Sequence, residues 1–349
     1  MTDGMERRAG GRATLAMVSA AAGVSTATVS KVLNGRPDVS AGTRARIEQL
    51  LREYDYVPVS GSRRQQTPIR VVELVFDDLI SPYSSEILLG VTDTGTDAGV
   101  DVVVNRIPNR QRFPREADWA ERLVAGGREG LIVVTSELTS GQLTAFERAR
   151  LPLVVIDPVN LPRPDVVSVG STNWTGGHSA TQHLIELGHR RIAYLGGLAS
   201  ATCHQARLHG YLAALSGAQI PVDPGLISDG DFTYESGYER AADLLAQPEP
   251  PTAVFAACDA IAVGLIEAAR QRDLAVPREL SVVGLDDTYL ARYCNPPLTT
   301  VRQPLRDMGR LAMRTLLRMC DGEAPDSYHV ELATQLIVRN STAPPPAAT

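Results

Sequence analysis

The chain has 349 residues, 44% of them hydrophobic and 21% charged. That is too long for one ordinary core and too apolar for wholesale disorder, and no segment reaches the roughly 18 apolar residues of a membrane span. The net charge of -6 hides a split: residues 1–70 hold eleven Arg or Lys against six Asp or Glu, and the remainder holds 23 against 34, the footprint of a basic nucleic-acid-binding head on an acidic body.

In chain order, residues 1–13 are expected to be a disordered tail, polar and without the apolar run of a secretory signal. Thr14 is suited to cap a helix running to Ala21, and Gly23 supplies a turn that a residue with a Cβ would resist. Ser25 caps a second helix, Thr26 to Asn34. Leu15, Val18, Val24, Val29, Val32 and Leu33 can close a miniature core, leaving Thr26, Ala27, Ser30 and Lys31 outward. A third helix, capped by Ser40, carries Ile47, Leu50, Leu51 and Tyr54 at i, i+3, i+4, i+7, the spacing of one buried face. Three short helices with a tight second turn make a helix-turn-helix unit over residues 14–58.

The stretch "ATLAMVSAAAGVSTATVSKVLNGRPDVSAGTRARIEQLLREYDYVP" resembles the DNA-binding head of the LacI-type (lactose repressor) family, whose hallmark is AGVS-x-x-TVSRVLN followed by VS-x-x-TR and Y-x-P. The resemblance implies that the start of the second helix enters the major groove. Thr26, Ala27 and Lys31 are then the base-reading candidates, and Thr28, Ser30, Asn34, Thr43 and Tyr56 the phosphate-holding ones, with Leu15 and Ser25 counted in the DNA-facing set. Lys31 stands where arginine is usual and offers guanine a point charge rather than a planar fork.

Residues 59–68 form the expected hinge, which in the family becomes a short helix on the operator and wedges a leucine into the minor groove. Here Ser62 and Arg63 occupy the usual Ala-Arg positions, Gln65 falls where the leucine would be, and Gly61 weakens helix formation. Minor-groove contact is therefore expected from Arg63 or Arg64.

From residue 69 apolar strands alternate with amphipathic helices, and the alternation repeats after residue 171: "IRVVELVF", "GLIVVT", "LPLVVID", then "RIAYLGG", "TAVFAAC", "ELSVVGLD". This rhythm demands mostly parallel sheets with right-handed crossovers, in two successive α/β lobes whose ligand site lies outside the carboxyl ends of the strands. "LIELGHRRIAYLGG", "ELSVVGLDDTYLARYCNPPLTTVRQP" and "ELATQLIVRNST" resemble cores of the same family. The implied fold is an all-α helix-turn-helix head plus an α/β two-lobed, periplasmic-binding-protein-like core over residues 69–340. Lobe 1 is placed at about 69–170 and 303–330 and lobe 2 at about 171–302 and 331–340, with chain crossings near 170, 302 and 331 acting as hinges. Residues 341–349 are expected to be a disordered tail.

The resemblance also transfers ligand positions. Arg207 and Asp286 are the most characteristic: a guanidinium donating to adjacent hydroxyls while a carboxylate accepts from them is what a buried polyol requires. Phe232 matches an aromatic platform, while Gln303, Asp157 and Ser171 match lining positions. Ser81, Tyr83 and Ser84 are placed to reach the same cleft. Cys258 replaces the usual asparagine, removing an amide, and Asp259 beside it is expected to cap a helix. The four cysteines, Cys203, Cys258, Cys294 and Cys320, make neither a Cys-x-x-Cys pair nor a disulfide framework and read as buried thiols of a reducing compartment.

No G-x-G-x-x-G, P-loop, H-E-x-x-H or G-x-S-x-G motif occurs, and the six histidines have no metal-ligand spacing. No cofactor, metal or catalysis is expected. The reading is a cytoplasmic, sequence-specific regulator, a repressor of carbohydrate uptake or catabolism genes, with a palindromic double-stranded operator and a mono- or oligosaccharide effector as partners. A two-fold dimer is expected, because linking two heads gives the second a high effective concentration on a palindrome. A purine or nucleoside effector, or a phosphoprotein co-regulator, is the alternative within the family; a sugar receptor without DNA function is the alternative outside it.

Overall fold

The computed structural model describes residues 13–56, 69–107, 115–160 and 163–346. The chain divides into a head, residues 1–69, and a core, residues 70–349. In the head, α1 (Leu15–Ala22), α2 (Thr26–Leu33) and α3 (Ala41–Glu53) are capped by the side chains of Thr14, Ser25 and Ser40, and Gly23 turns α1 into α2 at φ 68°. Val18, Ala22, Val29, Val32 and Ile47 are buried at the centre, with Leu15, Val24, Leu33, Leu50, Leu51 and Tyr56 packed around them. Tyr54 departs from the helical spacing. It is the C-cap of α3 and 40% exposed, because the helix ends before its ring can fold back, and Tyr56 fills that place instead.

The core continues with β1 (Arg70–Phe76), α4 (Pro82–Asp97), β2 (Val100–Arg106), α5 (Glu116–Ala125), β3 (Gly130–Val134), α6 (Ser140–Arg148), β4 (Leu153–Ile156) and β5 (Val167–Ser171). After the first crossing come α7 (Asn173–Glu186), β6 (Ile192–Leu195), α8 (Thr202–Gly217), β7 (Ile227–Ser228), α9 (Tyr234–Leu245), β8 (Ala253–Ala256), α10 (Asp259–Arg270), β9 (Ser281–Asp286), α11 (Tyr289–Tyr293) and β10 (Thr299–Arg302). The chain then returns through α12 (Leu305–Cys320) and β11 (His329–Leu332), and crosses once more to β12 (Gln335–Ile337). One sheet has the order β11-β5-β4-β3-β1-β2 and the other β12-β10-β9-β8-β6-β7. Every pairing is parallel except β10 with β12.

Both faces of each sheet are covered, so the inner strands are apolar without alternation. In β1, Val72, Leu74 and Phe76 face α4 and α12, whereas Val75 faces the cluster built by Trp119 of α5 and Phe146 of α6. The third crossing falls at residues 333–334, slightly beyond the sequence estimate, because β11 completes its pairing with β5 at Leu332 opposite Ser171.

The expected tail after residue 340 is corrected over residues 341–346. Ser341 is fully buried; its Oγ donates to Val282 O at 2.6 Å and accepts from Thr299 N at 2.8 Å. Ala343 N donates to Ser281 Oγ at 3.0 Å, and Ala343 O lies 2.9 Å from His189 Nε2. Polar, proline-rich composition is that of solvated coil, but these groups complete the hydrogen bonding of Val282, Thr299 and Ser281 at the end of the second sheet. Truncation after Asn340 is expected to lower unfolding free energy by about 2–4 kcal/mol, since several buried donors and acceptors lose partners. Urea denaturation checks this, and an unchanged midpoint would contradict it.

Candidate functional site

Two groups of residues carry candidate chemistry, one in the head and one in the core. On the head, Ser25 Oγ accepts from Thr28 N at 3.2 Å, setting the first turn of α2. Thr26 and Ala27 are exposed on that turn, and Ser30 and Thr28 are half-buried beside it. Asn34 Nδ2 donates to Ser30 O at 2.8 Å, and Thr43 accepts from Ser40 Oγ at 2.8 Å. Lys31 is held at 2.6 Å from Asp38 Oδ2, and this hydrogen bond holds the Asp38 carboxyl below its usual range. Both partners are about half exposed, so the pair is weak and a phosphate or base edge can compete for the ammonium. Leu15 and Tyr56 pack half-buried against the head's own core. Gly61, Ser62, Arg63, Arg64 and Gln65 lie outside the described residues.

In the core, a cavity of about 320 Å³ opens at the carboxyl ends of strands from both sheets. From lobe 1, the turn after β1 brings Ser81, Tyr83 and Ser84, and the end of β4 brings Asp157. Tyr83 Oη donates to Asp157 Oδ2 at 2.7 Å, while Ser81 Oγ accepts from Ser84 N at 3.1 Å as the cap of α4. From lobe 2 come Arg207 on α8, Phe232 before α9, Cys258 at the N-cap of α10 and Asp286 at the end of β9.

Arg207 is positioned by a helix contact that only glycine permits: a Cβ at Gly177 of α7 would lie 2.2 Å from Arg207 O. The side chain is 3% exposed; Nε donates to Asn173 Oδ1 at 2.7 Å and Nη1 to Ala257 O at 2.8 Å. Its Nη2 makes no hydrogen bond among the described residues. The guanidinium carbon lies 5.8 Å from the centroid of the Phe232 ring, within cation–π range.

Eight of the ten sequence-chosen effector positions line this cavity: Ser81, Tyr83, Ser84, Asp157, Arg207, Phe232, Cys258 and Asp286. Ser171 and Gln303 do not, and their place as lining residues is corrected. Both are buried behind Asp286, where Gln303 Nε2 donates to Asp286 Oδ1 at 2.6 Å and Ser171 Oγ donates to Gln303 Oε1 at 2.5 Å. Both sit on chain crossings, so a position near the ligand in sequence alignment becomes, in three dimensions, the support behind it. Asp259 is also corrected. It lines the cavity and does not cap α10: Oδ2 accepts from Thr288 N and Thr288 Oγ1 at 2.8 and 2.9 Å, and Oδ1 from Thr300 Oγ1 at 2.7 Å.

Residues 14–59 match the bacterial regulatory proteins of the lacI family, and residues 181–342 match a periplasmic binding protein-like domain. The chain is 34% identical over 331 residues to the HTH-type transcriptional repressor CytR of Escherichia coli K12, spanning 95% of this chain and 96% of that one. The chain belongs to the lacI family. Among solved structures, the transcriptional regulator CelR in complex with cellobiose is similar with a TM-score of 0.72 at 33% identity, over 95% of this chain and 100% of that one. The lac repressor dimer bound to operator and the anti-inducer ONPF is similar with a TM-score of 0.75 at 28% identity, over 95% and 100%.

Sequence reasoning overlooked several residues in the cleft of this lacI-family chain: Asn173, which orients Arg207, and Cys203, Thr135, Asp77, Asp78 and Asp231, which line the cavity. Cys203 had a readable signal, since it precedes Arg207 by four residues and shares its helix face. Asn173 had none, because its role depends on the packing of α7 against α8.

Burial pushes the Asp286 carboxyl up to about 6, with the Arg207 charge opposing the shift. Burial also raises Asp157, again opposed first by Arg207. A ligand hydroxyl donates more strongly to the ionised Asp286 than to its protonated form. Effector affinity is therefore expected to be full above this raised pKa and to fall as pH drops through about 6. Calorimetric titration between pH 5 and 8 checks this; affinity that rises on acidification would contradict it.

Proposed function

We propose that this lacI-family regulator is a repressor that grips a palindromic operator as a homodimer, and that a small carbohydrate in the core cavity sets that grip. The observation that carries the effector reading is the pairing, across one cleft, of Asp157 from lobe 1 with Arg207 and Asp286 from lobe 2. Hydroxyls that donate to both carboxylates and accept from the guanidinium hold the two lobes together, so occupancy favours one lobe arrangement over the other. The similarity to a cellobiose-bound regulator supports a sugar, and that to a repressor dimer on its operator supports the dimeric, DNA-bound state.

On the head, Thr26, Ala27 and Lys31 read bases in this proposal, while Thr28, Ser30, Asn34, Thr43 and Tyr56 fix the phosphates, with Leu15 and Ser25 in the DNA-facing set. Arg63 and Arg64 add minor-groove charge. Fluorescence anisotropy with duplexes from the chain's own locus tests the whole reading. An inverted repeat should bind with a steep salt dependence, and Lys31→Ala should weaken binding and lower the salt slope by about one if it holds a phosphate, or relax preference at one base pair if it reads a base. Binding indifferent to every carbohydrate tried would remove the effector half of the proposal.

A further inference from the structure

The charge of the cavity narrows the effector further. Six aspartates line it, Asp77, Asp78 and Asp231 exposed and Asp157, Asp259 and Asp286 buried, and Arg207 is the one cationic residue among the described lining residues. None of the six lies within salt-bridge distance of any Arg, Lys or His among the described residues, although acids elsewhere are paired: buried Glu73 with Arg128 at 2.7 Å, and buried Asp287 with Arg302 at 2.6 Å. Arg207 itself donates to Asn173 and Ala257 rather than to a carboxylate. Burial and the nearby Asp286 charge push the Asp259 carboxyl up to about 8, so Asp259 is the acid of the six that keeps its proton. The other five still leave more carboxylate acceptors than cations in the cavity, with a single fork among the described residues to receive an acceptor from the ligand.

We infer that the effector is the uncharged or amino-bearing form of a polyol, and that the cavity rejects its phosphorylated form. Hydroxyl and ammonium groups donate into carboxylates that have no cation at salt-bridge distance among the described residues. A phosphate brings two charges and only acceptors toward the buried carboxylates of Asp157 and Asp286 and the exposed ones of Asp77, Asp78 and Asp231, and Arg207 alone cannot neutralise it. The regulator therefore senses its ligand upstream of the phosphoryl-transfer step that would consume it. This inference rests on the cavity being the effector site but not on the effector being a sugar.

Calorimetry on the full chain with matched sets tests it: glucose, glucosamine and glucose 6-phosphate; cellobiose and its 6-phosphate; adenosine and its 5′-monophosphate. Within whichever set binds, the uncharged or amino member should bind at least about a hundredfold more tightly than the phosphorylated one. The double change Asp77→Asn with Asp231→Asn at the mouth should narrow that gap by about threefold or more and make it less salt-dependent. A phosphorylated member that binds as tightly as its partner overturns the inference while leaving a carbohydrate effector standing. Adenosine preferred over its monophosphate with no sugar bound upholds the inference and overturns the carbohydrate reading. Silence from every set overturns both.

Discussion

Exchange of Arg207 for methionine is expected to weaken effector binding by at least about a hundredfold, while operator affinity without effector stays within about threefold of wild type. The side chain is 3% exposed and faces Phe232, so an unbranched apolar replacement fills most of the space. What it removes is the one donor fork of the cavity, along with the positive charge that opposes the upward shifts of Asp157 and Asp286. Both carboxyls then protonate more readily, which weakens them as acceptors while the donor fork is lost. Asn173 Oδ1 and Ala257 O also lose their partners, each worth about 1–3 kcal/mol when buried, so thermal unfolding must accompany the binding measurement. Arg207→Lys separates charge from geometry: it keeps the cation but cannot hold Asn173, Ala257 and a ligand at once, and a loss of about tenfold is expected. Wild-type affinity in the folded methionine variant would remove Arg207 from the site.

The second large effect is a loss of coupling rather than of affinity. Gln303 joins Asp286, in the cavity wall, to Ser171 on the first crossing, and itself begins the segment that crosses back to lobe 1. Beside it Thr172 N donates to Leu332 O at 2.9 Å, and Thr334 N donates to Thr172 Oγ1 at 3.0 Å, so the third crossing is tied to the first. A ligand that draws on Asp286 therefore draws on a hydrogen-bonded set that spans all three crossings, the segments expected to act as hinges. Gln303→Leu cuts this set and leaves Ser171 Oγ and Asp286 Oδ1 without their amide. Allosteric coupling typically changes affinity by about 5–150-fold; in Gln303→Leu the ratio of DNA affinities with and without effector is expected to fall toward one, with effector still bound within about tenfold of wild type. Ser171→Ala removes only the link to the first crossing and keeps the amide on Asp286. It should lower the ratio while leaving effector affinity unchanged, a split that a merely structural role would not produce. Operator anisotropy with and without saturating effector reads both variants, and an undiminished ratio in both would show that the crossings move independently of Asp286.

Much of this was legible in one dimension because it is local. The caps Thr14, Ser25 and Ser40, the left-handed Gly23 and the apolar spacing of α2 are decided within a few residues of each other, and the structure places them as read. The unbroken apolar strands required helices on both sheet faces, and β1 has them. Tyr54 was misread because a spacing rule has no knowledge of where a helix stops. Residues 341–346 were misread because the demand they meet comes from Val282 and Thr299, far away in the chain.

The residues of the cleft divide in the same way. The family resemblance implied that Arg207, Asp286, Asp157 and Phe232 belong to one site, and the cavity brings these four side chains together. Only the tertiary structure decided that Ser171 and Gln303 stand behind that site rather than in it, that Asn173 aims the guanidinium, and that, among the described residues, six aspartates line the cavity with a single arginine and no ion pair. The reason is physical: a side chain's type follows from its own codon, but its partners and dielectric follow from which distant strands and helices the packed lobes bring within a few ångströms of it.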